Sequence, residues 1–127
     1  NKIQPSIIYT HHEEDLNIDH RITHKAVLTA CRPQPLSFIS EIYSFEVLSS
    51  TEWVSPNPKN AFIPNRFVDI SKFIKLKEKA LNAYIEEMRS FPHSRSIETT
   101  KFLAKYRGST VGMRAAESFQ TERILIK

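Results

Sequence analysis

The sequence predicts an α/β fold in which short apolar strands alternate with amphipathic helices. Two observations carry this prediction: the β-prone run Ile7-Ile8-Tyr9 near the start, and three longer stretches in which apolar residues recur at helical spacing. Hydrophobic residues make up 40% and charged residues 25% of the 127-residue chain, which is ordinary globular usage and argues against disorder.

The first third of the chain predicts a strand, a polar loop and a helix. The strand lies within residues 3–9 and runs into the polar stretch 10–15, and open α/β sheets bind their ligands at such carboxyl ends of strands. The helix is expected from Asp19, whose carboxylate can cap it, to just before Pro33. Its predicted apolar face comprises Ile22, Ala26, Val27, Ala30 and Cys31.

The middle of the chain predicts a second strand, a long loop and the longest helix. Residues 41–48 largely alternate between polar and apolar and indicate the strand, whereas the prolines in residues 49–64 indicate the loop. Residues 67–70 predict a short extended piece. The helix is expected over residues 71–89, and its predicted apolar stripe comprises Phe73, Leu76, Ala80, Tyr84 and Met88.

The last third predicts a helix over residues 96–107, with Leu103 and Tyr106 facing inward and Gly108 as its C-cap. A turn of helix near residues 114–119 and a last strand at 123–126 should follow. Because two or three strands do not complete a parallel sheet, we expect the chain to be part of a larger α/β domain.

Charge and composition limit which partners and which cellular compartment are expected. The net charge is +4, but the basic residues are spread among acidic ones without a nucleic-acid-binding motif, so no nucleic-acid partner is expected. No apolar run is long enough to span a bilayer, so no membrane span is expected. The single cysteine, Cys31, cannot form an internal disulfide and is expected to pack on a helix face, which fits a cytoplasmic protein.

The densest polar segment follows the first predicted strand. Three histidines and four carboxylates fall within residues 11–20. Zinc binds histidine nitrogen and carboxylate oxygen, and catalytic sites use three protein ligands plus a water. A charged surface loop that caps a helix explains this composition equally well. His20 and His24 are four apart, but Arg21 stands where the H-E-x-x-H signature needs Glu, so His24 is expected at the surface or behind the ligands.

The segment Ile8–Arg21, in which Asp19-His20-Arg21 opens a helix after a strand and a polar loop, resembles the LmbE-like, or PIG-L, family of N-acetylglucosaminyl deacetylases. Further segments resemble one bacterial branch of that family in the same order: residues 41–46, 49–53, 67–70, 91–96, 106–112 and 115–119. The resemblance therefore covers nearly the whole chain.

The resemblance implies a Rossmann-like, LmbE-type three-layer sandwich that holds one zinc ion, with residues 1–127 as the C-terminal portion of a single domain. It maps the third zinc ligand onto His20 and makes Asp19 a supporting carboxylate. The other ligands, a His and an Asp, and the Asp acting as general base belong to an Ala-His-Pro-Asp-Asp-Glu motif that this sequence does not contain. The implied activity is zinc-dependent removal of an N-acetyl group from an amino sugar, with a catalytic site that this chain alone does not complete.

One position departs from the family pattern. Many members carry a His three residues before the zinc His, proposed to stabilise the oxyanion, and this sequence has Asn17 there. An Asn amide donates a hydrogen bond but carries no proton or charge. Either Asn17 acts as a neutral donor, or His11 or His12 takes this place. These two histidines are candidate substrate contacts. Glu52, Trp53 and Arg107 are further candidates, although an exposed loop and a helix-end pair explain them equally well.

Two further hypotheses stay open. A non-catalytic binding module could keep the fold without the chemistry, and an enzyme assembled from two chains would take the absent motif from its partner. Strand edges and faces left uncovered invite self-association, so we expect a homo-oligomer. The sequence does not choose among N-acetylated amino-sugar substrates.

Overall fold

The computed structural model describes residues 3–126, so residues 1, 2 and 127 of the predicted domain lie outside the described residues. This part of the chain is a mixed α/β fold, as predicted, with four strands, three α-helices and one short 3-10 helix. The strands are β1 (Ile7–His11), β2 (Glu41–Phe45), β3 (Arg66–Asp69) and β4 (Ala116–Ile124). The helices are α1 (Ile18–Ala30), α2 (Ile74–Asn82) and α3 (Ile97–Ser109), and the 3-10 helix is Thr51–Trp53.

The four strands form one mixed sheet in the order β1-β2-β4-β3. Strands β1 and β2 are parallel, from Ile7 opposite Glu41 to His11 opposite Phe45, and α1 makes the crossover between them. Strand β4 runs antiparallel to β2, and the register shifts between Ile42 and Tyr43. The carboxyl ends of β1 and β2 therefore lie at the same edge of the sheet.

The chain divides into two compact units. The first comprises the described residues up to Arg66 together with those from Phe119 onward, and the second is Phe67–Ser118.

Strand β2 is the buried centre of the first unit. Ile42, Tyr43 and Ser44 are all buried, so the predicted alternation of faces does not hold here. The reason is that β2 lies between β1 and β4 and is covered on both faces. Arg66 lies over the Tyr43 ring at 3.9 Å and pairs with Glu41 at 3.0 Å. Hydrogen bonds from the Tyr43 hydroxyl and then from Arg66 lower the pKa of Glu41.

Helix α1 begins one residue before the predicted start, and its cap is not the predicted one. The side chain of Asn17 is the N-cap, and its Oδ1 accepts a hydrogen bond from the Asp19 N–H at 2.9 Å. The predicted capping role of Asp19 was therefore wrong. Asp19 instead occupies the first turn, where a carboxylate favourably meets the partial positive charge of the helix terminus.

The buried face of α1 also differs from the predicted apolar stripe. His24 and Cys31 are buried, whereas Ile22 is 59% exposed. Hydropathy alone misplaced this face because the residue packed most deeply against β1 is a histidine, which the apolar pattern does not count. The predicted packing role of Cys31 is confirmed.

The second unit packs around a small core of Ile70, Ala104 and Ala115, with Ile74 against it. Helix α2 is shorter than the predicted helix over residues 71–89, and the chain continues beyond Asn82 in turns. The predicted apolar stripe of this helix was wrong, since its large members are exposed: Phe73, Leu76 and Tyr84.

Helix α3 begins at the Ser96 cap and continues through Gly108, so the predicted role of this glycine as C-cap was wrong. Gly108 is buried where the chain passes very close, because a Cβ there would lie 2.7 Å from the Ala115 Cα. Tyr106, expected to face inward, is 61% exposed. The predicted turn of helix near residues 114–119 is the beginning of strand β4.

Among the described residues, no helix has the length and apolar character needed to cross a membrane.

Candidate functional site

The polar segment singled out in the sequence lies at the carboxyl end of β1 and the start of α1, within the first unit. His11 is the last residue of β1, Asp15 lies in the connection, and His20 lies in the first turn of α1. The parallel pairing of β1 and β2 brings the loop after β2, with Ser50 and Thr51, to the same edge. This is the edge at which open α/β sheets build their sites.

A buried carboxylate, Asp15, is the centre of the site. Its side chain has no exposed surface. It accepts hydrogen bonds from the Ser50 hydroxyl, from the Thr51 hydroxyl at 2.7 Å and from the Asn17 backbone N–H at 2.9 Å. Burial alone would raise the pKa of Asp15, but the hydrogen bonds from Ser50, Asn17 and Thr51 outweigh it and hold the pKa below its usual range. Asp15 is therefore an anion at neutral pH.

The loop that follows β2 is shaped to present these hydroxyls. The Glu52 carboxylate accepts hydrogen bonds from the backbone N–H groups of Ser49 at 2.6 Å and Ser50 at 3.2 Å. Ser49 has a φ of +65°, in the left-handed region that only a few residue types enter readily. The Glu52 carboxylate thus holds a tight turn whose next two side chains point to Asp15.

The connection from β1 to α1 is held by a second side chain. Arg21 donates from Nη1 to the backbone carbonyls of Asp15 at 2.7 Å and Leu16 at 2.8 Å. Because the guanidinium remains charged at any ordinary pH, these are charge-assisted hydrogen bonds, which are stronger than neutral ones. The backbone that carries Asp15 is therefore fixed from both sides.

His20 lies directly against Asp15. Its Nδ1 is 3.1 Å from the Asp15 Oδ1, an ion-pair distance, although the two groups are not aligned as a hydrogen bond. The His20 ring stacks on that of His11, with centroids 4.0 Å apart and an angle of 19° between the planes. The side chain keeps 19% of its surface exposed while its Nδ1 is buried, so the exposed surface belongs to the other atoms of the side chain.

His11 and His24 form the layer behind His20. Burial, and then the neighbouring His20, lower the pKa of His11, so its ring is neutral at neutral pH. His24 is 1% exposed and donates from Nδ1 to the His11 carbonyl at 2.8 Å. The expectation of a surface position for His24 was wrong, whereas a place behind the ligand position agrees with the structure.

The remaining predicted site residues of this unit have defined partners. The buried His12 ring donates from Nε2 to the Asn60 carbonyl at 3.0 Å and meets Phe62 edge-on at 5.5 Å. Asn17 uses its Oδ1 as the helix cap, which leaves its amino group as the end that can donate elsewhere. The Asp19 side chain is exposed. The carboxylate beside His20 is that of Asp15.

Arg107 lies in the last turn of α3, in the second unit, with its guanidinium 5.6 Å from the centroid of the Tyr106 ring. Its role as a substrate contact stays a prediction.

The structure adds residues to the site that the sequence analysis did not single out: Asp15, Arg21, Ser50 and Thr51. A sequence signal for the last two exists in Ser49-Ser50-Thr51-Glu52, where three hydroxyl residues precede a carboxylate at a strand end, a pattern that favours a side-chain-capped turn. Asp15 carried no signal of its own, because it was one of four carboxylates in the segment.

Within residues 3–126, no group of three or more His, Cys, Asp or Glu side chains has the geometry to hold a metal ion. No protein-family model matches the chain, and no curated protein matches its sequence.

Proposed function

We propose that this chain forms part of a zinc-dependent N-deacetylase that acts on an N-acetylated amino sugar, with His20 as one of its zinc ligands. The observation that carries the proposal is the position of the His20 imidazole. It lies at the carboxyl edge of two parallel strands, with a fully buried, anionic carboxylate at its Nδ1 and a partly exposed ring surface. Histidines that bind zinc almost always place their other nitrogen against such a partner.

The residues of the site can supply one of the protein ligands of a zinc ion. Zinc binds neutral imidazole nitrogen, and the Asp15 carboxylate beside Nδ1 makes the opposite nitrogen of His20 a better ligand. A catalytic site needs two further protein ligands. In the family that the sequence resembles, these come from an Ala-His-Pro-Asp-Asp-Glu motif, so the proposal requires that motif from a segment outside these 127 residues, in the same polypeptide or in a partner.

Zinc, when bound, would acidify a water and polarise the acetyl carbonyl for amide hydrolysis. The side chains of this chain have separate tasks. His20 holds the ion, and Asp15 orients His20. Asn17, whose Oδ1 is occupied by the helix cap, would offer its amino group to the negative charge that develops on the acetyl carbonyl oxygen. The uncharged ring of His11 stacks on His20 and keeps its plane fixed.

The proposed architecture is the Rossmann-like, LmbE-type sandwich, with this chain as one portion of it. Its support is the parallel β1-α1-β2 unit and the position of β1 at one side of the described sheet. Ile7 and Tyr9 on this strand are 38% and 46% exposed. Apolar side chains on a parallel strand are normally covered on both faces, so the exposed face of β1 is suited to packing against further helices of a larger domain.

The test is hydrolysis by the protein as its source cells make it, with N-acetylglucosamine derivatives as probes and the released amine as readout. His20→Ala should abolish release and remove zinc. His93→Ala, which changes a histidine of the second unit, should leave both in place. Hydrolysis at normal zinc content in His20→Ala would overturn the proposal. Absence of hydrolysis in the unmodified protein would favour the non-catalytic binding module.

A further inference from the structure

We propose that Asp15 is the positioning residue for His20: it places the proton of the imidazole on Nδ1 and so leaves Nε2 as the nitrogen that binds a metal. As a statement about a metal ligand the inference rests on the proposed function. The tautomer itself is a property of the metal-free chain and can be measured without zinc or substrate.

The Asp15 carboxylate is held in one orientation by hydrogen bonds. Its Oδ1 accepts from the Ser50 hydroxyl and the Asn17 N–H, and its Oδ2 accepts from the Thr51 hydroxyl. Both oxygens are therefore engaged, and rotating the carboxylate would break several hydrogen bonds in a place that water does not reach. The carboxylate is a fixed negative charge around which the neighbouring groups must arrange themselves.

The atom of His20 that lies against this charge is Nδ1. Nδ1 is buried and lies 3.1 Å from the Asp15 Oδ1. An unprotonated Nδ1 would place the partial negative charge of a nitrogen 3.1 Å from an anion, which is repulsive. With a proton on Nδ1 the same contact is attractive, because a positively polarised N–H then lies within ion-pair distance of the anion.

The plane of the His20 ring is held by its neighbour His11. Stacking on His11, at 4.0 Å between centroids, favours this plane of the imidazole, and a 180° flip within the plane would replace Nδ1 by a carbon atom beside Asp15. With Nδ1 facing Asp15 and the plane fixed, Nε2 is the nitrogen left for coordination. The resemblance assigned the supporting carboxylate to Asp19, but that side chain is exposed, and the geometry transfers the role to Asp15.

Long-range proton–nitrogen NMR of the ¹⁵N-labelled, metal-free chain at mildly alkaline pH measures the tautomer, and loss of signals in His20→Ala assigns the His20 resonances. We expect mainly the Nδ1–H form of His20 in the unmodified chain. Asp15→Ala should give a mixture or the Nε2–H form, because nothing on that side of the ring then favours a proton. Glu13→Ala, which removes an exposed carboxylate from the same segment, should leave the tautomer unchanged.

An Nε2–H form in the unmodified chain would overturn the proposal, and so would an unchanged Nδ1–H form in a folded Asp15→Ala variant. If Asp15→Ala does not fold, as its amide spectrum would show, the unmodified chain decides alone. In the zinc-loaded protein, Asp15→Ala should weaken zinc affinity by about 10- to 100-fold. If the protein binds no zinc and hydrolyses no substrate but His20 carries its proton on Nδ1, the proposed function is wrong. The positioning role of Asp15 would still hold.

Discussion

The hydroxyl of Thr51 offers a direct test of how firmly Asp15 is held. It donates to the Asp15 Oδ2 at 2.7 Å and accepts from the Val47 backbone N–H at 2.7 Å. The residue is buried, with 7% of its surface exposed. Thr51→Val replaces this hydroxyl by a methyl group of similar size, so it removes both hydrogen bonds without opening a cavity.

The expected loss follows from these two contacts. A hydrogen bond to a charged group contributes about 1.5–3 kcal/mol, and leaving the partly buried Val47 N–H without a partner costs about 1 kcal/mol more. Burying an additional methyl group returns about 0.8 kcal/mol. We therefore expect Thr51→Val to lower the free energy of unfolding by about 2–3 kcal/mol, a large part of the ~5–15 kcal/mol that stabilises a typical domain.

Denaturant unfolding at neutral pH, followed by circular dichroism, measures this loss. Thr51→Ser is the matched control, because it keeps the hydroxyl and removes only a methyl group, at a cost of about 0.8 kcal/mol. If Thr51→Val and Thr51→Ser have equal unfolding free energies, the hydroxyl does not anchor Asp15 and the account of the loop is wrong.

Three further predictions concern the core, the pH dependence and the sheet edge. Gly108→Ala should lower the free energy of unfolding by about 1–3 kcal/mol in denaturant unfolding, because the new Cβ would lie 2.7 Å from backbone atoms. This steric cost outweighs the gain in helix propensity. A Gly108→Ala variant as stable as the unmodified chain would contradict the prediction. The lowered pKa of Glu41 means that its carboxylate stabilises the fold above an unfolded-state pKa of about 4.5 and that this contribution disappears as the pH falls through the folded-state pKa. Glu41→Gln should therefore be less stable than the unmodified chain near pH 6, and this difference in unfolding free energy should shrink as the pH falls below about 4.5. A difference in unfolding free energy that does not change with pH would refute the assignment. Ile7→Lys, on the exposed side of β1, should shift the expected homo-oligomer towards monomer in sedimentation experiments, and an unmodified chain that is monomeric at high concentration would contradict that expectation.

Sequence patterns found the elements that local residue preferences determine. The β-branched run at Ile7-Ile8 gave β1, and Pro33 bounded α1 correctly. Strand β4 was misassigned at its start because Ala115-Ala116-Glu117 has the composition of a helix. Its strand conformation comes from pairing with neighbours distant in sequence, which local propensity does not contain.

The site was predictable to the extent that it resides in one segment. His20 was singled out from its neighbours in sequence, and the structure brings it together with His11. Asp15 could not be distinguished from the other carboxylates of the segment, because its burial depends on Ser50 and Thr51, which lie 35 and 36 residues away along the chain. Only the parallel pairing of β1 and β2 brings these side chains together.

Zinc binding at His20 is tested by native mass spectrometry of the protein isolated from its source cells, which measures the zinc content of the unmodified protein and of His20→Ala. We expect one zinc ion per unmodified protein and none, or a small fraction, in a folded His20→Ala variant. One zinc ion retained in full by His20→Ala would show that His20 is not a ligand and would overturn the proposed function.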